Sequence, residues 1–529
     1  MSGAMDSFDA IVVGSGAAAT FAAVGLRGRR VLMLDVGFDA SRDSDLRGNL
    51  YDLKQTHDDL FEPLIGRQFE SLHNLHQPPI SLKLKSPFMS YIARDARRLT
   101  PVAGDPFGGV VSLARGGLAN AWGAGVFRYT DRDLAGFPIT AADLAASFDE
   151  VTARMGVSGV NGDDLEPYFE RDDRLQPPIR LSSIFDDMLR RYERAKPNFR
   201  KARVAIGRSR LAVLTQPRHG RAAYEYENLE FFRPHDPGIY TPAYTVSELI
   251  ASGAIEYRSG RLVLRYAERN GTVEVEARNL DSGEMETWRG GTLCLGAGAL
   301  NTTRIVLASN ADYDTRLPLL DNPMACIPLL DLTRIGSALQ TRDTSLAQLN
   351  VVAEDEDGRL AQGSLYGTTG PLRSDFLFEL PLSARGNRVW AKYVAPATAF
   401  LMLFYARDPD AWSGVQLRPS GDLDVRLAPE PPHALEHVLI GLFRRIGFLS
   451  HRAMIQRPVM GSALHFAGTL PMSAQPLRYQ TDRDGRLAGT SRVHVVDGAC
   501  LPRLPAKNAT LTIMANALRI GRRLATTLA

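Results

Sequence analysis

Residues 9–35 read DAIVVGSGAAATFAAVGLRGRRVLMLD, and this stretch decides the fold. The apolar run from Asp9 to Val13 is typical of a parallel strand that is buried on both faces. Ala17 to Leu26 can form a helix of small residues, and Arg30 to Asp35 supplies a second strand that ends in an acid. The stretch therefore predicts a complete βαβ unit of the dinucleotide-binding type.

The glycine turn of this unit carries the first candidate binding residues. Gly14, Gly16 and Ala17 follow the GxGxxA pattern, which lets the backbone approach a pyrophosphate at a helix N-terminus. Asp35 would accept hydrogen bonds from the hydroxyls of an adenosine ribose. A glycine-rich turn without a ligand is the alternative, and the flanking strands and the well-placed acid favour the dinucleotide.

A second glycine-rich block covers residues 108–125. It contains Gly116, Gly117, Asn120 and Trp122. So many small residues predict a backbone that lies flat against a large planar group, whereas a close-packed loop is the alternative. After this block, Thr140 is placed to cap a helix that runs to Met155.

The middle of the chain returns to the first sheet. Leu262 to Leu264, centred on Val263, and Val273 to Ala277 flank the dipeptide Asn270-Gly271, which predicts a β-hairpin. Thr292 to Leu295 then leads through a second glycine turn at Ala297 into a helix. This strand, turn and helix predict a further parallel strand of the dinucleotide sheet.

Two regions give weaker signals. Residues 39–100 predict an irregular lid whose histidines, His57, His73 and His76, lack metal-ligand spacing and are expected at the surface. Residues 320–450 have scattered prolines and aromatic residues and predict a second domain built on an antiparallel sheet that faces the substrate.

The last 70 residues carry the most specific motifs. His465-Phe466-Ala467-Gly468 opens the first, the strand from Val493 leads to Asp497 and Gly498 in the second, and Pro505 to Ala517 forms the third. The third motif holds three candidate site residues, which are Asn508, Thr510 and Leu511.

Together with the GxGxxA unit, the block around Asn120 and the segment LGAGALNTTR at 295–304, these motifs resemble the glucose-methanol-choline (GMC) oxidoreductases. The resemblance implies FAD, with its ADP half on the first glycine turn and its isoalloxazine near residues 116–125 and the C-terminal segment. It also implies a catalytic pair, carried here by His465 and Asn508. Pro471 departs from the family's usual arginine, and no histidyl attachment sequence precedes Trp122, so we expect non-covalent FAD.

The chemistry of these residue types agrees with alcohol oxidation. A neutral histidine can take the hydroxyl proton while hydride leaves the same carbon for the flavin. Asn508 can donate its amide N–H to the same oxygen, although it could also simply cap the following helix. Asp497 is a candidate partner of the ribityl chain.

The implied fold is α/β, with a Rossmann-like FAD-binding domain and a discontinuous α+β substrate domain on an antiparallel sheet. We assign residues 6–150, 205–315 and 455–529 to the first domain and residues 151–204 and 316–454 to the second. The predicted function is FAD-dependent oxidation of a CH–OH group, with a sugar or glycoside favoured as the substrate. Oxidation of a steroid or aliphatic alcohol, a hydroxynitrile-lyase-like reaction and a non-catalytic FAD protein are the alternatives.

Composition limits the partners. The chain has 529 residues and a net charge of +3, from 62 Lys and Arg against 59 Asp and Glu, which argues against a nucleic-acid or anionic-membrane partner. Cys294, Cys326 and Cys500 show no paired spacing, so no metal site is predicted. No apolar stretch reaches the ~18 residues of a membrane span. We therefore predict a cytoplasmic enzyme that passes electrons to oxygen or a diffusible acceptor.

Overall fold

The fold comes from a computed structural model, which describes residues 7–40, 46, 48–68, 70–71, 81–104, 107–230, 232–233, 237–338, 342–368, 383–410 and 412–528. Two of the three histidines of the predicted lid, His73 and His76, lie outside these residues. His57 follows helix Leu50–Thr56 and is not part of the site described below.

The strands of the described residues are β1 Ser7–Val13, β2 Val31–Leu34, β3 Val102–Ala103, β4 Val204–Arg208, β5 Glu256–Arg258, β6 Arg261–Arg269, β7 Thr272–Asn279, β8 Met285–Leu295, β9 Arg316–Pro318, β10 Met324–Asp331, β11 Leu349–Glu354, β12 Leu360–Gly367, β13 Thr398–Tyr405, β14 Gly414–Leu417, β15 Leu423–Arg426, β16 Phe448–Leu449 and β17 Val493–Val495. The α-helices are Ala17–Gly25, Leu50–Thr56, Phe61–Ile65, Ala96–Leu99, Ala141–Met155, Glu166–Phe169, Ser183–Lys201, Pro242–Ala251, Ala299–Ser309, Ala384–Val389, Ala434–Arg445 and Thr510–Thr527.

The first sheet has the strand order β5-β2-β1-β8-β7-β6, and β17 also pairs with β8. β1 runs parallel to both β2 and β8, with helix Ala17–Gly25 as the crossover, so the predicted βαβ unit is confirmed. The predicted hairpin is confirmed as well, because β6 and β7 pair in antiparallel fashion. The run Thr292 to Leu295 forms the end of β8, beside β1, as the sequence indicates.

Small residues hold the first and last helices of this sheet together. A Cβ on Gly25 would lie 2.7 Å from the carbonyl oxygen of Leu518, and a Cβ on Gly521 would lie 2.3 Å from that of Ala22. Only glycine allows the backbones of helices Ala17–Gly25 and Thr510–Thr527 to approach this closely. The last helix therefore starts at a fixed position relative to the first glycine turn.

The helix predicted after Thr140 is present. It spans Ala141–Met155, and its N-terminus has a capping box in which Thr140 and Asp143 satisfy each other's backbone N–H groups.

The second sheet has the order β16-β10-β13-β12-β11-β4, and its pairs are antiparallel, which confirms the predicted sheet type. Helices Ser183–Lys201 and Ala434–Arg445 cover one of its faces with a buried apolar core. A third sheet, β3-β15-β14-β9, is small and lies outside the site.

The strand pairing differs from the predicted domain division at one boundary. The boundary at 204/205 was placed before the FAD-binding segment 205–315, yet β4 pairs with β11 of the second sheet. By pairing, residues 205–208 therefore belong with the second sheet, and Ile206 is part of its apolar core. The division into two discontinuous domains otherwise stays a prediction.

Within the described ranges, no helix combines the length and apolar content that a membrane crossing requires.

Candidate active site

A cavity of about 730 Å³ opens between the carboxyl end of the first sheet and the face of the second sheet that lies opposite helices Ser183–Lys201 and Ala434–Arg445. Thirteen of the sixteen site residues predicted from the sequence line it, namely Gly14, Gly16, Ala17, Asp35, Gly117, Trp122, Val263, Ala297, His465, Asp497, Gly498, Asn508 and Thr510. Gly116, Asn120 and Leu511 do not line it. The fold thus brings together residues that are spread along the chain from Gly14 to Thr510.

The first glycine turn forms one end of the cavity. Gly14 has a φ of +91°, and a Cβ there would lie 2.8 Å from the carbonyl oxygen of Gly296. Helix Ala17–Gly25 begins after Gly16 with no side-chain cap, and Gly16 and Ala17 line the cavity. Uncapped N–H groups at a helix N-terminus attract anions, so this end can hold a phosphate group.

Replacing Gly14 by alanine should destabilise the protein more than the same change at Gly28. Both glycines have positive φ, so each alanine costs about 1–2 kcal/mol of backbone strain. Only at Gly14 does the new Cβ also meet backbone, which adds about 1–3 kcal/mol, whereas nothing lies within 4 Å of a Cβ on Gly28. Denaturant unfolding of the two variants measures the difference, and equal losses would show that the close approach to Gly296 carries no energy.

Asp35 stands at the edge of the same end. The hydroxyls of Ser15 and Tyr257 both donate to its Oδ2, the latter at 3.0 Å, and burial raises the pKa of the carboxyl group to about 6. Ser15 Oγ in turn accepts a hydrogen bond from the backbone N–H of Gly116 at 3.1 Å. Gly116 therefore acts through its backbone, by tying the second glycine-rich block to the first.

Asn120 faces away from the cavity and supports the loop that carries it. Its amide donates to the carbonyl oxygens of Arg115, at 2.8 Å, and Gly117, at 3.0 Å. Its Oδ1 accepts from Thr241 Oγ1 at 2.6 Å. Because all its polar atoms are used within the protein, Asn120 shapes the block while neighbouring residues line the cavity.

Trp122 presents its ring to the cavity and keeps its polar atom inside the protein. Its Nε1 donates to the carbonyl oxygen of Tyr240 at 2.9 Å. Leu511 instead is buried in the main apolar core, one residue beyond Thr510, where the last helix begins as predicted.

Asp497 joins two loops at the cavity wall. Its Oδ2 accepts from the backbone N–H of Gly298 at 2.9 Å and from Thr302 Oγ1 at 2.5 Å, and its Oδ1 accepts from the backbone N–H of Ala499 at 2.9 Å. Burial raises the pKa of this carboxyl group to about 6. Its bonds within the chain stabilise the start of helix Ala299–Ser309, and a role toward a ribityl chain stays a prediction.

His465 and Asn508 meet at the other end of the cavity. Asn508 Nδ2 lies 3.5 Å from His465 Nε2, and Asn508 Oδ1 accepts from the backbone N–H of Thr510 at 2.8 Å. That second bond fixes the amide so that its N–H side faces the histidine. Asn508 therefore lies one residue before the N-cap, Ala509, where it satisfies the first backbone N–H of the last helix and points a donor at His465.

Asn322 fixes the protonation of His465. Its Nδ2 donates to two backbone carbonyl oxygens, those of Tyr405 at 2.8 Å and Pro505 at 3.0 Å, so its Oδ1 is the atom that lies 3.0 Å from His465 Nδ1. An amide oxygen only accepts, so Nδ1 carries the proton and Nε2 has the free lone pair. His465 is thereby held as a base with Nε2 toward Asn508.

The residues before Asn322 hold the loop of His465 in place. Leu320 and Ala467 exchange backbone hydrogen bonds of 2.9 and 3.0 Å, and Asp321 Oδ2 accepts from the backbone N–H of Gly461 at 2.6 Å. Leu464 has a φ of +59°, which is costly for a residue with a side chain. These hydrogen bonds of Leu320 and Asp321 therefore hold a strained turn in place directly before His465.

The electrostatic surroundings keep His465 neutral. Burial, and after it the nearby positive charge of Lys83, together lower the pKa of its imidazole to about 4. Lys83 lines the cavity, donates to the carbonyl oxygen of Ala121, and has a pKa lowered to about 8 by burial.

Three residues near His465 were not predicted from the sequence, and they are Asn322, Lys83 and Phe404. The ring centroid of Phe404 lies 5.5 Å from that of His465. Asn322 follows directly on Asp321 in a region that offered no motif, and Lys83 lies in the stretch assigned to a lid. No local pattern marks any of the three, because each reaches the site through contacts distant in the sequence.

A sequence profile of the family described as GMC oxidoreductase matches residues 448–517, which include both His465 and Asn508. This C-terminal segment is therefore similar to that of the GMC oxidoreductases. The fold is similar to that in the crystal structure of pyridoxine 4-oxidase from Mesorbium loti, with a TM-score of 0.55 and 13% sequence identity over 97% of this chain and 98% of that chain. At this identity the likeness concerns the fold. A search of curated protein sequences gave no significant match.

GMC oxidoreductases generally bind FAD, and the cavity of this chain fits such a dinucleotide. One end offers the uncapped helix N-terminus after Gly16 and the carboxyl group of Asp35, and the walls include small residues such as Gly117 and Ala297. These features provide an anion site, a ribose acceptor and a flat wall in one continuous space.

Proposed function

We propose that this protein is a GMC oxidoreductase, which oxidises the CH–OH group of an alcohol to a carbonyl group with non-covalently bound FAD. The observation that carries the proposal is the fixed orientation of His465, whose Nε2 is a free base beside the amide donor of Asn508 in the cavity. The sugar or glycoside expected from the sequence stays a prediction, as do the electron acceptor, the cytoplasmic location and the lack of a nucleic-acid partner.

The first glycine turn and Asp35 would hold the ADP half of FAD. Gly117, Trp122, Val263, Ala297 and the start of the helix at Thr510 would surround the remainder. When bound, FAD supplies the acceptor for the hydride that leaves the carbinol carbon.

His465, Asn508 and Asn322 divide the proton chemistry. His465 Nε2 takes the proton of the substrate hydroxyl, which makes the carbinol carbon a better hydride donor. Asn508 Nδ2 donates to the same oxygen and stabilises its developing negative charge without titrating. Asn322 Oδ1 accepts a hydrogen bond from the Nδ1–H of His465 and stabilises the imidazolium that forms.

The test is anaerobic. The FAD-loaded protein is mixed with simple alcohols, aromatic alcohols, sugars, glycosides and sterols, and the visible absorbance of the oxidised flavin is followed. Bleaching by one class supports alcohol oxidation, and readmitted oxygen then distinguishes an oxidase from a dehydrogenase. A protein that dithionite bleaches and no alcohol does would contradict the proposal, and carbonyl release without bleaching would favour the lyase.

The bound flavin should leave the protein on denaturation. We expect acid precipitation to release all the yellow chromophore into the supernatant, because the wall at Trp122 offers no histidine for attachment. Colour that stays with the pellet would show a covalent link.

The pH profile of flavin reduction should depend on Lys83. With a pKa of about 4, His465 is unprotonated through neutral and mildly acidic pH, so the rate should stay on its plateau well below pH 6.5, the usual pKa of histidine. Replacing Lys83 by methionine removes a like charge, raises the pKa of His465 and moves the acid limb of the profile to higher pH.

Lys85→Met is the matched control, since Lys85 lies on the same short helical turn and does not line the cavity. Stopped-flow reduction across pH measures both variants. An unchanged acid limb in Lys83→Met would show that the two charges do not interact.

A further inference from the structure

One face of the second sheet forms the floor of the cavity beside His465. Along β10 to β13, odd-numbered side chains pack toward helices Ser183–Lys201 and Ala434–Arg445, and even-numbered side chains line the cavity. This division follows from the two-residue repeat of a strand. We call the even-numbered side chains the substrate floor.

The half of the substrate floor nearest to His465 is apolar. β10 contributes Met324, and β13 contributes Phe400, Met402 and Phe404. The ring of Phe404 lies 5.5 Å from that of His465, centroid to centroid. A substrate carbon that reacts at His465 therefore has apolar neighbours, which favour a flat apolar group next to the carbinol carbon.

The other half of the substrate floor is polar. Gln362, Ser364 and Tyr366 come from β12, with the Tyr366 hydroxyl hydrogen-bonded to Ser364, and Asn350 comes from β11. Gln362 pairs with Phe404 in the strand register, and adjacent strands are about 4.8 Å apart, so the polar half begins one strand beyond the aromatic ring. A single ring-sized substrate can therefore span both halves.

Among the described residues, two amide oxygens of the polar half accept no hydrogen bond, and they are Asn350 Oδ1, which is fully buried, and Gln362 Oε1. Gln362 Nε2 donates to the carbonyl oxygen of Gly363 at 2.7 Å and lies 3.3 Å from Ser364 Oγ, which also accepts from Asn350 Nδ2 at 3.0 Å. Gln362 Oε1 accepts no hydrogen bond from a described residue. It can therefore receive an N–H or O–H group of a substrate.

The substrate floor favours a neutral group at this end. In the described residues, the side chains with which β10 to β13 line the cavity are all uncharged. A carboxylate would be repelled by the lone pairs of Gln362 Oε1. An ammonium group would pay the free-energy cost of losing its hydration shell and gain only one acceptor in return. A neutral donor meets neither cost.

We propose that the substrate floor selects an alcohol in which a flat apolar ring carries the CH–OH group at one end and a neutral hydrogen-bond donor, a carboxamide or a hydroxyl, at the other. The proposal rests on the proposed function and names its substrate class. Gln362 is then a specificity-determining residue, which binds the far end of the substrate.

The test compares para-hydroxymethyl benzamide, benzyl alcohol and para-hydroxymethyl benzoate as substrates. The wild-type enzyme should have a higher kcat/KM for the benzamide than for benzyl alcohol. Gln362→Leu should lower the ratio of these two kcat/KM values by roughly 2- to 12-fold, which is the contribution of one hydrogen bond. A ratio within one variant cancels differences in folded fraction. Gln416→Leu, on β14 outside the cavity, should keep the wild-type ratio.

Binding of benzamide itself, which cannot be oxidised, separates the two proposals. Calorimetry on the FAD-loaded protein should show benzamide binding that Gln362→Leu weakens by a similar factor. If this holds while no alcohol bleaches the flavin, the substrate floor stands and the proposed function fails. If alcohols bleach the flavin but benzamide does not bind, or binds both forms equally, the substrate floor is wrong. A preference for the benzoate that Lys83→Met removes would also overturn it.

Discussion

Replacing His465 by glutamine is expected to slow substrate-dependent flavin reduction by about 10²- to 10⁴-fold, the usual contribution of a general base. Glutamine keeps a polar side chain at Asn322 and Asn508 but provides no group that can accept and hold the hydroxyl proton. The FAD content should stay at the wild-type level, because the change leaves the first glycine turn and Asp35, which would hold the ADP half, unaltered. Single-turnover stopped-flow under anaerobic conditions measures the rate.

His494→Gln is the control for this change. His494 is also buried, with its Nδ1 3.1 Å from the carbonyl oxygen of Asp484, and it does not line the cavity. We expect this variant to reduce its flavin at the wild-type rate. Equal rates for wild type and His465→Gln would remove His465 from the proposed mechanism.

Replacing Asn322 by leucine should slow flavin reduction by roughly 5- to 150-fold. The change leaves His465 Nδ1 and two backbone carbonyl oxygens without their partner, and an unsatisfied buried polar group costs about 1–3 kcal/mol. Nitrogen NMR of the labelled imidazole gives an independent measurement. The wild-type ring should carry its proton on Nδ1, and the variant should show a mixture of tautomers.

Asn516→Leu controls for the loss of a buried amide. Asn516 is 1% exposed and bonds to Cys500 and Arg519 within the last helix and its neighbourhood, away from the cavity. Both variants can lose stability. If only Asn322→Leu also reduces the flavin more slowly and shows a mixture of His465 tautomers, Asn322 positions the base. Slow reduction with an unchanged Nδ1 proton would mean that its role is to support the loop alone.

The predicted site residues His465, Asn508 and Asn120 differ in how the fold places their side chains. The resemblance placed His465 and Asn508 as a pair, and the fold brings them to 3.5 Å. It also included Asn120, whose amide the fold turns into the protein, toward Arg115 and Gly117. A motif gives the residue's position in the chain, whereas the direction of its side chain depends on which backbone groups lie nearby.

The sequence by itself determined the local elements of this protein. The βαβ unit of residues 9–35, the hairpin at Asn270-Gly271 and the helix capped by Thr140 each follow from patterns of a few adjacent residues. Such patterns reflect hydrophobic periodicity, glycine conformations and capping bonds, which act over one or two turns of the chain.

Only the tertiary structure decided how the base is held and what lies opposite it. Asn322 stands 143 residues from His465, and its orientation depends on carbonyl oxygens from two further segments. The strands of the second sheet are buried on both faces, and β13 is apolar on both, so its sequence could not show that Phe404 faces the cavity. Contacts between distant segments fix these choices, because a side chain's partners are set when the sheets and loops pack together.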